Sequence, residues 1–173
     1  MKHFNSVAMI IFVAVLAIAA FFGYRFVTRK KIRSNTIEQT LAIIKPDAVR
    51  AKNTGKIIDR IEQEGYTIVD MKKVTLDREP AERLYQQLTK ESYFSGAIDF
   101  ITSGPVVVLI LEKMNAVADW RDLIGECNPK KARPDTLRHQ FGTDIRHNGL
   151  HGSDSQTEAV REIKLFFADR IKA

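Results

Sequence analysis

The segment Asn148-Gly149-Leu150-His151-Gly152-Ser153-Asp154-Ser155 contains the one histidine of this chain whose neighbours suit covalent chemistry. A neutral imidazole is nucleophilic near pH 7 and accepts a phosphoryl group without a dedicated base. Gly152 lets other groups approach the backbone closely, and Ser153 and Asp154 offer short polar side chains that can fix a neighbour. The run after Ser155 has a helical pattern with Glu158 three residues on, which reads as a capping box. Its positive N-terminus favours anions beside the histidine. A lone histidine before a helix is more often structural, so the surroundings carry the argument. Elsewhere the sequence lacks a G-x-x-x-x-G-K-[ST] loop and the H-R-D with D-F-G pair. Its four histidines and single cysteine show no zinc-type spacing. Cys127, being alone, excludes an intrachain disulfide and a cysteine-only metal site.

The elements that would position His151 follow from the hydrophobic pattern. Thr40–Ile44 is a short apolar run stopped by Lys45-Pro46-Asp47 and reads as a buried strand after a linker at Ser34–Glu38. Gly55–Glu64 has isoleucines at helical spacing and is closed by Gly65. Tyr66–Leu76 is rich in β-branched residues and reads as a strand. Arg78–Leu88, with Pro80 in its first turn, reads as a helix. Val106–Leu111 after Gly104-Pro105 is the most β-prone run, and Ala116–Ile124 is a helix ending at Gly125. Glu126–Asp144, holding Pro129 and Pro134, reads as a long structured loop, a class that is often functional. Asn148–His151 reads as a brief strand or loop, and Ser155–Phe167 as a helix. The alternation β-α-β-α-β-α-β-α suits an α/β sandwich on an antiparallel sheet.

These stretches together are identified with a known family. Asn148–Ser155 resembles the N-x-x-H-G-S-D-S motif of nucleoside diphosphate kinases. Thr40–Val49 resembles the family's first strand with its lysine. Ser103-Gly104-Pro105-Val106-Val107 and Gly125-Glu126-Cys127-Asn128-Pro129 match further motifs in the expected order, so the resemblance runs from Thr40 to Phe167. Pro134–Arg138 and Phe141–Asp144 look closer to a divergent branch of that family. The resemblance implies a ferredoxin-like α/β (α+β) sandwich with a four-stranded antiparallel sheet, and assembly as a homo-oligomer. It implies a ping-pong reaction in which ATP phosphorylates His151 and another nucleoside diphosphate takes the phosphate, with Mg²⁺ bridging phosphate oxygens.

Residue by residue, the resemblance places Lys45, Arg121 and Arg138 on the nucleotide phosphates and Asn148 on the sugar. Tyr93 falls at an aromatic position on which the base stacks, and Tyr85 lies near the catalytic centre. Glu162 and Ser153 fall where the histidine is oriented. Stacking without base-edge hydrogen bonds would tolerate purines and pyrimidines alike. Three positions depart from the pattern. Cys127 stands where the family usually has threonine, Gln140 where it usually has aspartate, and Ala97 where a larger apolar residue lines the base site. The chain also ends at Ala173 without the longer tail that some relatives use in assembly. An active enzyme with weakened nucleotide binding is expected. Two alternatives are a membrane-tethered scaffold that kept the fold without turnover, and a histidine phosphocarrier serving a protein partner.

The N-terminal segment differs in composition from the rest. The chain has 173 residues and a formal charge of +6. Residues 1–35 hold Lys2, Arg25, Arg29, Lys30, Lys31 and Arg33 and no acid; with those six set aside, 21 basic residues face 21 acidic ones. The pI of about 9.5 therefore reports this segment, and no basic nucleic-acid-binding face is expected in the rest. Val7–Tyr24 carries no charge, and its length of about 18 residues lies near the lower limit for a membrane-spanning helix. A cleaved signal peptide, with Ala17-Ile18-Ala19 as its site, and a mitochondrial presequence are competing readings. The continuous apolar run followed by a basic cluster favours an anchor. The expectation is one transmembrane helix with its basic flank at 1–35, then a catalytic domain at 36–173. By the positive-inside rule that domain of a single-pass membrane protein lies on the cytoplasmic side.

Overall fold

The computed structural model describes residues 36–168. The anchor expected over residues 7–24 lies outside the described residues. Among the described residues no helix is long and apolar enough to cross a membrane.

Four strands form one sheet: β1 (Ile37–Ile44), β2 (Thr67–Thr75), β3 (Pro105–Met114) and β4 (Leu150–Gly152), in the order β2-β3-β1-β4. Every pairing is antiparallel, with Leu41 opposite Ile110 and Ile43 opposite both Val108 and His151. The central strands β1 and β3 are apolar without alternation because both of their faces are buried. Leu41, Ile43, Val106, Val108 and Ile110 enter one core, and Ala42, Ile44, Val107, Leu109 and Leu111 enter the other.

The helices divide between these two faces. Helix α1 (Pro46–Arg50) and helix α2 (Thr54–Gln63) supply Ala48, Ile57 and Ile61 to the second core; α5 (Ala116–Ile124) adds Trp120 and Ile124, and α6 (Leu137–Phe141) adds Leu137. Helix α3 (Arg78–Leu84), α4 (Phe94–Ile101) and α7 (Gln156–Phe166) cover the first core through Ala81, Leu84, Ile98, Ile101, Ile163 and Phe166. The four-stranded antiparallel sheet in this order, with helices packed on it, is the expected ferredoxin-like sandwich.

The differences from the sequence reading are local. Strand β1 begins at Ile37, three residues earlier than its apolar run, because Ile37–Gln39 continue the ladder to Met114–Glu112. The helix expected over Arg78–Leu88 ends at Leu84 and tightens into a 3₁₀ turn at Gln86–Leu88. Within the loop expected at Glu126–Asp144 lies the five-residue helix α6, and helix α4 carries a stretch to which the pattern assigned no element. At the start of α7 the Ser155 hydroxyl accepts a hydrogen bond from the Glu158 amide at 3.2 Å, as the capping pattern predicts.

Candidate active site

Strand β4 is short, and its middle residue is His151. Two contacts fix its backbone: pairing with Ile43 across β1, and a hydrogen bond from the Trp120 indole to the His151 carbonyl at 3.2 Å. A side chain on Gly152 would put a Cβ 2.5 Å from the Trp120 indole nitrogen. The close approach that glycine allows here is thus made by a tryptophan on α5.

Behind the ring, His151 Nε2 lies 3.1 Å from Glu162 Oε2. An ionised Glu162 can only accept, so in the neutral imidazole the proton resides on Nε2 and Nδ1 keeps its lone pair. Ser153 Oγ donates to the same carboxylate oxygen at 2.6 Å and accepts from the Leu41 amide at 3.3 Å. Arg161 approaches the other carboxylate oxygen at 3.5 Å. Burial pushes the Glu162 carboxyl up, but the hydrogen bonds and charges of His151, Ser153 and Arg161 outweigh it, leaving the group below the usual range. Helix α7 therefore delivers a buried anion to the back of the histidine. The edge of Tyr85, at the end of α3, meets the His151 ring at 5.9 Å and 85°. Burial pushes its phenol well above the ordinary range, so the hydroxyl stays protonated.

In front of the ring opens a cavity of about 900 Å³. Eight of the ten candidates from the sequence line it: Lys45, Tyr85, Tyr93, Arg121, Cys127, Arg138, Asn148 and His151. Ser153 and Glu162 lie behind it as described. Lys45 ends β1, where its amide bonds the Gly149 carbonyl at 2.8 Å while Asp47 accepts from the Gly149 amide at 2.9 Å. The Lys45 ammonium donates to Asn148 Oδ1 at 2.7 Å and to the Arg146 carbonyl at 3.4 Å. Asn148 in turn donates to the carbonyls of Cys127 and Ile145, both at 3.0 Å. The asparagine thus positions the lysine. Arg138, on α6, donates to the carbonyls of Gly125 at 2.7 Å and Leu150 at 3.1 Å, and reaches Cys127 Sγ at 3.5 Å.

Lys45 and Arg138 are only 8% and 4% exposed, yet neither forms an ion pair among the described residues. Buried cations are ordinarily paired, because leaving one without a counter-charge costs several kcal/mol. Burial lowers the Lys45 ammonium to about 8, with Asp47 opposing the shift and Arg138 reinforcing it, and burial lowers Arg138 as well. Two under-compensated cations facing one cavity make it an anion site. Arg121, from α5, differs: Asp154 holds it at 2.5 Å.

Several residues of the site were not singled out from the sequence. Ile145, like Tyr93, is a large side chain left exposed on the cavity wall. Asp144 accepts from the amides of Arg146 and His147, each at 2.8 Å, and from the His147 ring at 2.9 Å, so its carboxyl is lowered to about 2. This carboxylate fixes the turn that carries Ile145 and Arg146. Phe100 stacks edge-on with His147 at 4.7 Å and lies under the Lys45 ammonium at 5.4 Å. The signal that could have found this turn is Asp144 itself, since an aspartate that bonds the amide two residues on makes an Asx-type turn. Nothing in the sequence marks Ile145 or Phe100 as cavity residues. Among the described residues no group of three or more His, Cys, Asp or Glu could hold a metal ion.

The geometry can be set beside known proteins. A family model described as nucleoside diphosphate kinase matches residues 38–171. The nucleoside diphosphate kinase of a Nitratiruptor species is 48% identical over 134 residues, covering 78% of this chain and 98% of that one. That of Histophilus somni (strain 129Pt) is 47% identical, covering 78% and 95%. Among solved structures, the Aquifex aeolicus nucleoside diphosphate kinase superposes with a TM-score of 0.75 at 38% identity, covering 76% of this chain and 96% of that one. The Encephalitozoon cuniculi enzyme, in its apo form, gives 0.76 at 35% identity, covering 79% and 92%. With a histidine on the wall of a cationic cavity and these relatives in agreement, the chain belongs to the nucleoside diphosphate kinase family.

Proposed function

We propose that His151 Nδ1 is the atom that carries the phosphate in this nucleoside diphosphate kinase. The observation that carries the reading is the bond between Nε2 and the buried Glu162 carboxylate, which leaves Nδ1 as the free lone pair at the edge of the anion cavity. Nδ1 attacks the γ-phosphorus of ATP, the N–P bond forms as the bond to the β-phosphate oxygen breaks, and ADP leaves. A second nucleoside diphosphate then attacks with its β-phosphate oxygen and the N–P bond breaks. Glu162 stabilises the imidazolium character that develops as Nδ1 forms its bond, and Ser153 keeps the carboxylate in place. Lys45, Arg138 and Arg121 hold the phosphates and offset the charge spread over the transferring group. Arg121 must exchange Asp154 for phosphate, an exposed pair that costs little to break. Tyr93 offers its face to the base, while Asn148 contacts the sugar and keeps Lys45 in position.

The substrate is the Mg²⁺ complex of the nucleotide. The cavity presents cations rather than a carboxylate cage, which suits a metal that arrives on phosphate oxygens and water.

Residues 1–35 are read as a membrane anchor with a basic flank, and 36–173 as a catalytic domain on the cytoplasmic side. The uncharged run Val7–Tyr24 and the cluster Arg25, Arg29, Lys30, Lys31 and Arg33 support this reading. Strand β2 lies at a sheet edge with Val69 and Met71 exposed, which suits self-association of copies through that edge.

The deciding experiment incubates the purified full chain with γ-labelled ATP and Mg²⁺, chases with GDP, and runs His151→Ala alongside. Acid-labile label on the wild type alone, moving to GTP, is expected. Label that stays on the protein points instead to the phosphocarrier, and a folded protein that takes no label to the scaffold. Protease treatment of intact cells tests the orientation, and digestion of the catalytic domain there would overturn it.

A further inference from the structure

Helix α4 turns one stripe toward the cavity: Tyr93, Ala97 and Phe100 line it, and Gly96 lies on the same face one turn after Tyr93. The stripe is built from small residues at its centre, which leaves space beside the aromatic ring. Part of that space is filled by the side chain of Arg146. Its Nη2 lies 2.9 Å, and its Cζ 3.1 Å, from where a Cβ on Gly96 would sit. The guanidinium therefore rests against the Gly96 backbone, on the helix face that also carries Tyr93 and Ala97.

Two features keep it there. The turn that carries Arg146 is fixed by the Asp144 carboxylate, which accepts both the Arg146 and His147 amides. On the other side, the Arg146 carbonyl accepts from Lys45. Arg146 lines the cavity, and its guanidinium forms no ion pair among the described residues, so its donors are available to a ligand. Asp144, the neighbouring carboxylate, is committed to the His147 ring.

On the reading that the base stacks on Tyr93, we propose that Arg146 is a specificity-determining residue that selects guanine nucleotides by donating to their base edge. An arginine fork matches two acceptors side by side, and guanine presents O6 and N7 on one edge. Adenine replaces O6 with an amino donor, which faces the fork with like polarity. Stacking on Tyr93 treats all bases alike, so the discrimination comes from Arg146. This narrows the base tolerance expected from stacking alone.

The test measures single-turnover discharge of the full-length phosphoenzyme by GDP, IDP and ADP, for the wild type, Arg146→Ala and Arg146→Lys. IDP keeps O6 and N7 but lacks the 2-amino group. The wild type should favour GDP and IDP over ADP in kcat/KM, and Arg146→Ala should lower the GDP-to-ADP ratio by about tenfold, the scale of one bidentate base contact. Arg146→Lys, with a point charge in place of the fork, should keep only part of the preference. A ratio unchanged in Arg146→Ala, or IDP behaving like ADP, overturns the assignment. A wild-type chain that never takes label from ATP would instead overturn the phosphohistidine reading on which it rests.

Discussion

The indole of Trp120 occupies the space that a side chain on Gly152 would need, and its N–H holds the carbonyl of His151. A core tryptophan thereby sets the height of His151 above the sheet. Gly152→Ala forces this contact apart. Overpacking of this kind costs about 1–3 kcal/mol, which corresponds to a fall in Tm of roughly 3–10 °C. Phosphoenzyme formation should slow more than stability alone explains, because β4 moves relative to Glu162. Calorimetry with a rapid-quench assay checks both, and an unaltered Tm would show that the indole swings away freely.

Glu162→Gln keeps the shape of the side chain and removes its charge. The amide no longer stabilises the imidazolium, and it can turn its NH₂ toward Nε2 and bring the wrong tautomer forward. A hydrogen bond to a charged group contributes about 1.5–3 kcal/mol, so the phosphorylation rate should fall about 10- to 100-fold. The KM for ATP should change little, since Glu162 lies behind the ring and does not line the cavity. A rise in KM with kcat intact would remove Glu162 from the chemical step.

Much of this was legible in the sequence where the physics is local. β1 and β3 announce themselves as unbroken apolar runs because both faces of each are buried. The cap at Ser155 and the stop at Gly125 are likewise set within a few residues. Helix α4 was not legible, because its cavity stripe of Tyr93, Gly96, Ala97 and Phe100 mixes aromatics with very small residues and weakens the apolar period. Helix α6 hid in a polar stretch, starting just past two prolines. The burial of Arg138 was not legible either: its partners at Gly125 and Leu150 are main-chain carbonyls, which carry no residue identity. Nor could the meeting of Lys45 with Asn148, 103 residues apart, come from spacing; it rests on β1 and β4 being neighbours.

Arg138→Met separates binding from folding. The buried guanidinium lacks a carboxylate partner, so the free protein gives up little electrostatic stabilisation when it is removed, though two carbonyls lose a donor. Nucleotide binding loses a fixed cation. In the wild type, ADP at about 100 times its Kd should stabilise the fold by about 2.7 kcal/mol. The same ADP concentration should raise the Tm of the variant far less. An equal ADP-dependent rise in both proteins would mean that Arg138 does not touch phosphate.

Cys127→Thr should tighten nucleotide binding. Cys127 lines the cavity and approaches Arg138 only at 3.5 Å, and a thiol donates weakly. A hydroxyl at this position can bond a phosphate oxygen, contributing about 0.5–1.5 kcal/mol. The KM for nucleoside diphosphates should fall about two- to tenfold with kcat unchanged. Steady-state kinetics at fixed ATP checks this, and an unaltered KM would mean that position 127 does not meet the phosphates.

The pH dependence of binding should report Lys45. Its ammonium titrates at about 8 in the folded chain against 10.5 for the free group, chiefly because it is buried. Below pH 8 the group is charged in both the folded and the unfolded chain. Between pH 8 and 10.5 the folded chain has released the proton while the unfolded chain still binds it, so the fold itself gains stability as pH rises through that window. Affinity for an anionic nucleotide runs the other way, since the cation that attracts it is disappearing. Bound phosphate favours the charged form and raises its pKa, so binding above pH 8 should take up a proton from solution. Calorimetric titration with ADP in two buffers of different ionisation enthalpy, at about half a unit above that pKa, measures that uptake. Lys45→Met should abolish it and flatten the rise in Kd across the same window. Proton uptake that survives in Lys45→Met would place the titrating group elsewhere in the cavity.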